Sequence, residues 1–437
     1  MNTVAFYTLG CKVNQYETEA VSELFADEGY TIVPFTDKSD YYIINTCSVT
    51  SMSDRKSRQM IRRAKKTNPD AVIAVMGCYS QTAPEEVLDI DGVNLVLGTK
   101  DKKSVVQLIS TLNNTDKLNA VTGVMDNHVF EDLTVRKCMD HTRAYIKIQD
   151  GCSQFCSYCI IPFARGPVRS RREEDIINEV KTLAAAGYKE IILTGIHAAS
   201  YGADLGCTSL EQLLHKIDEV DGIVRIRLSS IEPMTLNREF VEKIKDCKKL
   251  CPHFHISLQS GSDKTLRRMN RHYTTAHFEE VVVGLREHFP DCAITTDIMT
   301  GFAGETEEEF AETIDFIKRI EFSEAHVFQY SQRRGTPAAR RPDQCAPEVK
   351  EARSKVVIEL TNRSKDKFLK KHIGRTMDVL FETAVTDGTY EGKTANYITV
   401  HVKTDEDLHG QYRNVRLNEL NNNIIYGELL LHQLNLE

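Results

Sequence analysis

The chain has 437 residues, of which 41% are hydrophobic and 27% are charged, and its formal net charge is -8. This composition is ordinary for a globular protein and excludes a polycationic chain. Any surface that binds nucleic acid must therefore be a local basic patch.

The N-terminal stretch MNTVAFYTLG lacks the basic and long apolar regions of a secretory leader, and no apolar run approaches the length of a membrane span. We therefore expect a cytoplasmic protein without a membrane partner. The chain contains 12 cysteines. Because the cytoplasm keeps thiols reduced, these residues are expected to be structural thiols or metal ligands and not disulfides.

The first hundred residues alternate between strand and helix patterns, which predicts an open parallel α/β sheet with crossover helices over residues 1–115. The predicted strands are Thr3–Thr8, Tyr41–Asn45 and Ala71–Met76, and the predicted helices are Glu17–Glu28, Asp54–Lys66 and Pro84–Leu88. The polar segment Asp126–Asp140 is predicted to be a linker.

The same alternation returns over residues 138–370, where six strand patterns are separated by stretches that fit helices. These strands are Ala144–Ile148, Glu190–Thr194, Ile223–Leu228, His253–Leu258, Ala293–Ile298 and Glu324–Phe328. Six such units predict a partial (β/α) barrel, whose sites should lie at the carboxyl ends of the strands. A charged helix is predicted over Lys350–Lys371.

Residues 371–437 change character, with short β-rich stretches that are separated by turn signals such as Asp387-Gly388. The strand patterns cover Thr376–Phe381, Tyr397–Val402, Asn414–Leu417 and Ile424–Leu431. They predict a small all-β barrel of the kind that binds oligonucleotides.

Cys152, Cys156 and Cys159 form a Cys-x3-Cys-x2-Cys arrangement directly after the first strand of the predicted barrel. Three thiolates on one compact loop can hold three irons of a four-iron cluster and leave the fourth iron open for chemistry. The alternative is a zinc knuckle or an accidental group of thiols. Zinc knuckles usually complete four ligands, and His141 is poorly placed to be the fourth.

Cys11, Cys47 and Cys78 each follow a predicted strand of the N-terminal sheet. Because loops at the carboxyl ends of neighbouring parallel strands meet in one crevice, the three thiols can converge on a second cluster. The alternative is three buried structural cysteines, which is a common fate of this residue.

The predicted helix Asp54–Lys66 carries seven cations and one anion, and Arg55, Arg58, Arg62 and Lys66 recur at helical spacing. On an acidic chain this local patch predicts contacts with an RNA backbone. The alternative is a solvated surface helix. Arg165, Arg169, Arg171 and Arg172 form a second basic cluster after the first cysteine motif.

The Cys152–Cys156–Cys159 motif resembles that of the radical S-adenosylmethionine superfamily. The dispersed cysteines, the central barrel and the terminal barrel together resemble the methylthiotransferase family, and the terminal barrel is similar to its TRAM domain. Further matching motifs are Thr194-Gly195, Ser229-Ser230-Ile231-Glu232-Pro233, Leu258-Gln259-Ser260-Gly261-Ser262 and Gly301-Phe302-Ala303-Gly304-Glu305-Thr306.

The resemblance implies two [4Fe-4S] clusters and S-adenosylmethionine, which serves both as radical source and as methyl donor. In that family the position of Thr194 and Gly195 contacts S-adenosylmethionine. Ser229, Glu232, Gln259 and Asp297 are expected to be further cofactor contacts, because they lie at or near the ends of strands that should face the same cavity. The alternative is that these polar side chains are solvent-exposed caps. No catalytic side chain is expected beyond the cluster ligands, because the cofactors carry the reactivity.

The stretch from Thr8 to Thr18 resembles the branch that acts on C2 of N6-threonylcarbamoyladenosine at position 37 of tRNA. The expected partners are the tRNA anticodon stem-loop and an electron donor, and the chain is expected to be a monomer. Three alternatives stay open: methylthiolation of isopentenyladenosine or of a ribosomal protein, a non-catalytic iron–sulfur protein that binds RNA, and a radical enzyme whose N-terminal cysteines are only structural.

Overall fold

The computed structural model describes residues 2–136, 142–386 and 388–430. Cys138, His141 and the end of the segment Asp126–Asp140 lie outside the described residues, as do Asp387 and Leu431. No helix in the described ranges is both long enough and apolar enough to cross a membrane.

The N-terminal part is a six-stranded parallel sheet with the strand order β2-β1-β3-β4-β5-β6. Its strands are β1 (Thr3–Thr8), β2 (Thr31–Val33), β3 (Tyr41–Thr46), β4 (Val72–Gly77), β5 (Val93–Val96) and β6 (Leu118–Asn119). Its helices are α1 (Lys12–Asp27), α2 (Ser51–Thr67), α3 (Cys78–Thr82), α4 (Pro84–Leu88) and α5 (Val105–Ser110), and a 3-10 turn spans Lys102–Ser104. The predicted open parallel sheet is confirmed.

Helices cover both faces of this sheet, and one apolar cluster lies on each face. Every residue of β4 is buried, which explains why this strand is a continuous apolar run instead of an alternating one. The segment that follows β6 contains no helix or strand up to residue 136. It is nevertheless packed, since Leu133 and Val135 are buried in the core of the central part.

The central part is a partial barrel made of two sheets, with the strand orders β10-β9-β7-β8 and β11-β12-β13. Bridges Ile226–Leu250 and Ile231–Ile256 join the two sheets. The strands are β7 (Arg143–Asp150), β8 (Arg169–Ser170), β9 (Glu190–Gly195), β10 (Arg225–Leu228), β11 (His253–His255), β12 (Ala293–Thr300) and β13 (Glu324–Gln329).

Helices surround these strands and bury one face of them. They are α6 (Ile161–Arg165), α7 (Glu173–Ala185), α8 (Leu210–Asp218), α9 (Arg238–Ile244), α10 (Asp263–Arg268), α11 (Thr275–His288), α12 (Glu307–Ile320) and α13 (Pro347–Lys370), with 3-10 turns at Ala198–Ser200 and Ala338–Arg340. The predicted partial (β/α) barrel is confirmed.

The two faces of the central strands differ sharply in polarity. Ala144, Ile146 and Ile148 of β7 pack in the apolar core beneath the helices. Because side chains alternate along a strand, Arg143, Tyr145 and Lys147 point to the opposite face. We call this concave, polar surface the inner face; Glu190, Arg225, Arg227, His253 and His255 also contribute to it.

The C-terminal part is a closed five-stranded barrel with the strand order β14-β15-β16-β18-β17. Its strands are β14 (Thr376–Thr386), β15 (Thr389–Thr394), β16 (Thr399–Lys403), β17 (Tyr412–Asn421) and β18 (Ile424–Leu429). The predicted small β-barrel is confirmed. It docks at the amino ends of the central strands, where Arg225 donates to the Asp378 carbonyl at 2.7 Å and Arg227 donates to the Ala395 carbonyl at 2.9 Å.

Candidate active site

Cys11, Cys47 and Cys78 lie at one edge of the N-terminal sheet. They follow β1, β3 and β4, which are adjacent strands, and a parallel sheet brings their carboxyl ends together. Gly10 has a φ of +112°, and a Cβ there would lie 3.1 Å from the Cys47 sulfur. The Cys11 loop therefore packs directly against Cys47, and only glycine permits this approach.

Electrostatics also connects these three thiols. Burial raises the pKa of Cys47, and it raises the pKa of Cys78 to about 11. Repulsion by Cys11 adds to both shifts, while Arg165, which forms a hydrogen bond with Cys78, acts in the opposite direction. Two buried thiols and the exposed thiol of Cys11, beside a cation, are a chemically suitable donor set for iron, which binds the thiolate form.

Cys152, Cys156 and Cys159 lie on the loop after β7, at the carboxyl end of the central barrel. Gly151 has a φ of +77°, and a Cβ there would lie 1.8 Å from the Pro167 carbonyl oxygen, so the turn into the loop requires glycine. The Cys159 amide donates to the Cys156 carbonyl at 2.9 Å. Burial raises the pKa of Cys152 to about 11 and that of Cys159 to about 12, and the neighbouring thiols add to both shifts.

Each cysteine group offers three thiols that can bind a multinuclear cluster. In the described ranges, no three Cys, His, Asp or Glu residues are arranged to bind one metal ion. In a four-iron cluster each cysteine binds a different iron, so its ligands need not meet at one point. The described cysteines are all free thiols and remain available for such a role.

Glu232 is connected to the Cys152–Cys159 loop through Arg271. The Arg271 guanidinium contacts the Cys156 sulfur at 3.3 Å and a Glu232 carboxylate oxygen at 3.0 Å. The other Glu232 oxygen lies 3.0 Å from the His197 Nε2. Burial opposes ionisation of Glu232, but His197 and Arg271 overcome it and lower its pKa, so this carboxylate is held charged beside the loop.

The remaining predicted cofactor contacts lie at the same end of the central strands. Thr194 and Gly195 end β9, and Ser229 follows β10 with a buried hydroxyl that has no hydrogen-bond partner among the described atoms. Gln259 has a φ of +68°, and its backbone N–H donates to the Asp297 backbone carbonyl at 2.8 Å. The Asp297 side chain lies 3.2 Å from His255 Nε2, on the inner face.

Three of the four predicted RNA contacts on α2 are exposed. Arg55, Arg62 and Lys66 form no hydrogen bond or ion pair with other described residues. Arg58 differs, because it donates to the Tyr79 hydroxyl at 2.9 Å and pairs with Glu86 at 3.3 Å. Arg58 therefore fixes α2 to α3 and α4 and is less available to a ligand.

The second basic cluster of the sequence is not a surface patch. Arg165, Arg169 and Arg171 are buried, and Arg171 pairs with Glu179. Arg165 contacts Glu17 at 2.6 Å and Asn14 at 2.7 Å, both on α1. The sequence reasoning missed these pairs because each arginine finds its partner through the fold and not through local spacing.

Comparison with known proteins shows similarity over most of the chain. Residues 3–98 match the family described as "Uncharacterized protein family UPF0004", and residues 146–317 match the Radical SAM superfamily. The "Threonylcarbamoyladenosine tRNA methylthiotransferase MtaB" of Bacillus subtilis is 44% identical, over 95% of this chain and 94% of the relative. The protein of the same name from Thermotoga maritima is 39% identical, over 96% and 95% of the two chains.

A solved structure has a similar fold. The radical S-adenosylmethionine methyltransferase TsrM from Kitasatospora setae, with cobalamin and a [4Fe-4S] cluster bound, superposes with a TM-score of 0.59. The match covers 77% of each chain at 15% sequence identity. At that identity the likeness shows a common fold and nothing about the substrate.

Proposed function

Because the chain belongs to the threonylcarbamoyladenosine tRNA methylthiotransferase family, we propose that it transfers a methylthio group to C2 of N6-threonylcarbamoyladenosine at position 37 of tRNA. The observation that carries this proposal is the 44% identity that extends over 95% of the chain. The family matches at residues 3–98 and 146–317 contain all six cysteines of the two groups.

We assign the six cysteines as cluster ligands. Cys152, Cys156 and Cys159 would hold the [4Fe-4S] cluster that binds S-adenosylmethionine, and Cys11, Cys47 and Cys78 would hold a second one. When bound, the clusters and S-adenosylmethionine supply the radical, the sulfur and the methyl group that convert a C–H bond into C–S–CH3. The chain itself excludes water and positions the substrate.

Six side chains and backbone groups would contact S-adenosylmethionine: Thr194, Gly195, Ser229, Glu232, Gln259 and Asp297. Ser229 is supported by its buried hydroxyl without a partner, because such a group is costly unless a ligand satisfies it. Glu232 is supported by its ionised state and by its link through Arg271 to the cysteine loop. Asp297 has weaker support, since its carboxylate already pairs with His255.

We propose that the anticodon stem-loop is the part of tRNA that the enzyme contacts. Exposed bases of a single-stranded loop can be splayed out into a protein site, unlike those of an A-form stem. The exposed cations of α2 and the C-terminal barrel would contact the phosphate backbone. A monomeric, cytoplasmic enzyme that receives electrons from a separate donor fits this role.

The test compares nucleosides from the tRNA of cells with and without this gene. Loss of 2-methylthio-N6-threonylcarbamoyladenosine, with accumulation of the form that lacks the methylthio group, is the expected result. Mass spectrometry of digested tRNA measures it directly. An unchanged nucleoside profile would overturn the proposed function.

The Cys78→Ala variant tests the second cluster separately. It should fail to restore the modified nucleoside, yet the purified protein should still cleave S-adenosylmethionine and hold about four irons where the wild type holds about eight. The matched control is Cys207→Ala, which removes an exposed thiol outside both groups. Equal iron content in Cys78→Ala and the wild type would contradict the assignment.

A further inference from the structure

Lys12 lies between the Cys11 loop and the inner face. It begins α1 directly after Cys11, and its ammonium lies 6.0 Å from the centre of the Tyr145 ring on β7. Arg143, Arg227, Glu190 and Tyr397 act on it electrostatically. This side chain therefore connects the edge of the N-terminal sheet with the charged end of the central strands.

The arginines around Lys12 are all neutralised by carboxylates. Arg227 pairs with Glu190 at 2.7 Å, and Arg143 pairs with Glu382 at 2.8 Å. Arg225, the third arginine of this end, pairs with Asp378 and also with Glu190. Each of these arginines therefore already has an anionic partner.

Lys12 is the exception in this group. Within the described residues its ammonium forms no hydrogen bond and no ion pair, and its contact with the Tyr145 ring is a long one. The side chain is only partly accessible, so water compensates its charge incompletely. A partly buried cation without an anionic partner is unfavourable by itself, and a carboxylate that enters the site would complete it.

The nucleoside of the proposed function carries one carboxylate, on the threonyl part of its N6 substituent. Its reacting carbon, C2, lies on the same ring that bears this substituent. A base that presents C2 to the Cys11 group therefore brings its N6 substituent to the neighbourhood of Cys11, where Lys12 begins α1.

We propose that Lys12 binds the threonylcarbamoyl carboxylate and thereby selects this nucleoside over adenosines whose N6 position is unsubstituted or carries a neutral hydrocarbon. The inference rests on the proposed function and names its specificity-determining residue. A neutral substituent would leave the ammonium desolvated and unpaired, which is the situation in which a polar site discriminates most strongly.

The test is a binding measurement with the reconstituted, cluster-loaded enzyme, so that it does not depend on turnover. The probes are three fluorescently labelled anticodon stem-loops with N6-threonylcarbamoyladenosine, adenosine or dimethylallyladenosine at position 37. The wild type should prefer the threonylcarbamoyl stem-loop by at least about tenfold, the range expected for a desolvated ion pair. In Lys12→Met this preference should fall to about twofold or less.

Two further variants separate charge from packing. Lys12→Arg keeps the positive charge and should keep most of the preference, whereas Lys12→Gln is neutral and should lose it. The control is Lys355→Met, which removes an exposed lysine on α13. All variants should match the wild type in iron content and in S-adenosylmethionine cleavage without tRNA.

The outcomes distinguish this inference from the proposed function. A wild type that methylthiolates the threonylcarbamoyl nucleoside, together with a Lys12→Met variant that keeps its full preference, would overturn the role of Lys12 alone. A wild type without any preference among the three stem-loops would overturn it as well. A wild type that forms no methylthio product would overturn the proposed function, whatever the binding of the variants.

Discussion

At the scale of single residues, Glu17 holds the first two parts of the molecule together. Its carboxylate lies 2.6 Å from Arg165, 2.7 Å from Lys147 and 3.3 Å from Lys102, and all four side chains are buried. Burial opposes ionisation, but Arg165, Lys102 and Lys147 overcome it and lower the pKa of Glu17 to about 2. Because Arg165 also contacts Cys78 and ends the helix that follows the Cys152–Cys159 loop, Glu17 belongs to a network that links the two cysteine groups.

Replacement of Glu17 by glutamine should therefore destabilise the protein strongly. The neutral amide removes one carboxylate from three buried cations and leaves them only Asp150 and Glu131 as anions, so we expect a loss of about 3–5 kcal/mol in the free energy of unfolding at neutral pH. Since folding depresses this pKa, the stabilisation is present above about pH 4.5 and is lost as the pH falls towards 2. The difference between wild type and variant should shrink over that range.

Urea denaturation at several pH values measures this difference. Glu28→Gln, at the exposed end of the same helix, is the matched control and should change the stability by less than about 0.5 kcal/mol. A loss below about 1 kcal/mol in Glu17→Gln would show that the network contributes little.

Some positions in the site can be predicted from the sequence and others cannot. The difference lies in how far apart along the chain the interacting residues are. The positions of Cys11, Cys47 and Cys78 follow from a local rule, because each cysteine comes shortly after an apolar run that forms a strand. Glu17 and Arg165 are 148 positions apart, and no local pattern pairs them. The same holds for Lys12, whose surroundings are formed by β7, β10 and the C-terminal barrel.

At the scale of elements, α2 combines a packed face with a cationic one. Ser57, Ile61 and Ala64 are buried against the sheet, while Arg55 and Arg62 are exposed. The helical spacing of the cations was predictable because the helix is amphipathic. The attachment of Arg58 to Tyr79 and Glu86 was not predictable, since these partners belong to later elements.

The triple variant Arg55→Gln, Arg62→Gln and Lys66→Gln should bind tRNA more weakly, with a smaller dependence on salt. Each lost phosphate contact lowers the slope of log affinity against log salt by somewhat less than 1, so a reduction of about 2–3 is expected. Affinity measured between low and physiological salt gives the slope.

The charge-matched control replaces three exposed cations on α13, Lys355, Arg363 and Lys370, and should leave the slope unchanged. Equal slopes in both triple variants would contradict a specific role of α2.

At the scale of the whole molecule, the C-terminal barrel closes the end of the central strands that is opposite to the cysteine loop. Tyr397, at a left-handed φ of +70°, stacks on His253 of β11 with ring centres 4.6 Å apart. The barrel was predictable from its strand and turn pattern. Its docking was not, since Arg225 and Arg227 bind backbone carbonyls more than 150 positions away.

The packing of the C-terminal barrel on the central strands should weaken in acid because of His253. Burial lowers the pKa of His253 well below its ordinary value, and Arg227, His255, Lys12 and Arg143 lower it further. Folding therefore favours the neutral ring, so its contribution is complete above about pH 6.5 and falls by about 1.4 kcal/mol for each pH unit below that. Amide hydrogen exchange in β14 and β15 at pH 7.5 and 5.5 should show faster opening at the lower pH.

His253→Phe keeps an aromatic ring beside Tyr397 but cannot take up a proton, so it should remove much of this pH dependence. His128→Gln, at an exposed position between β6 and β7, is the control and should behave as the wild type does. If β14 and β15 in His253→Phe open as readily at pH 5.5 as they do in the wild type, protonation of His253 is not what loosens the barrel. An acid-labile contact at this end would also affect the substrate contact proposed for Lys12, because Tyr397 acts electrostatically on Lys12.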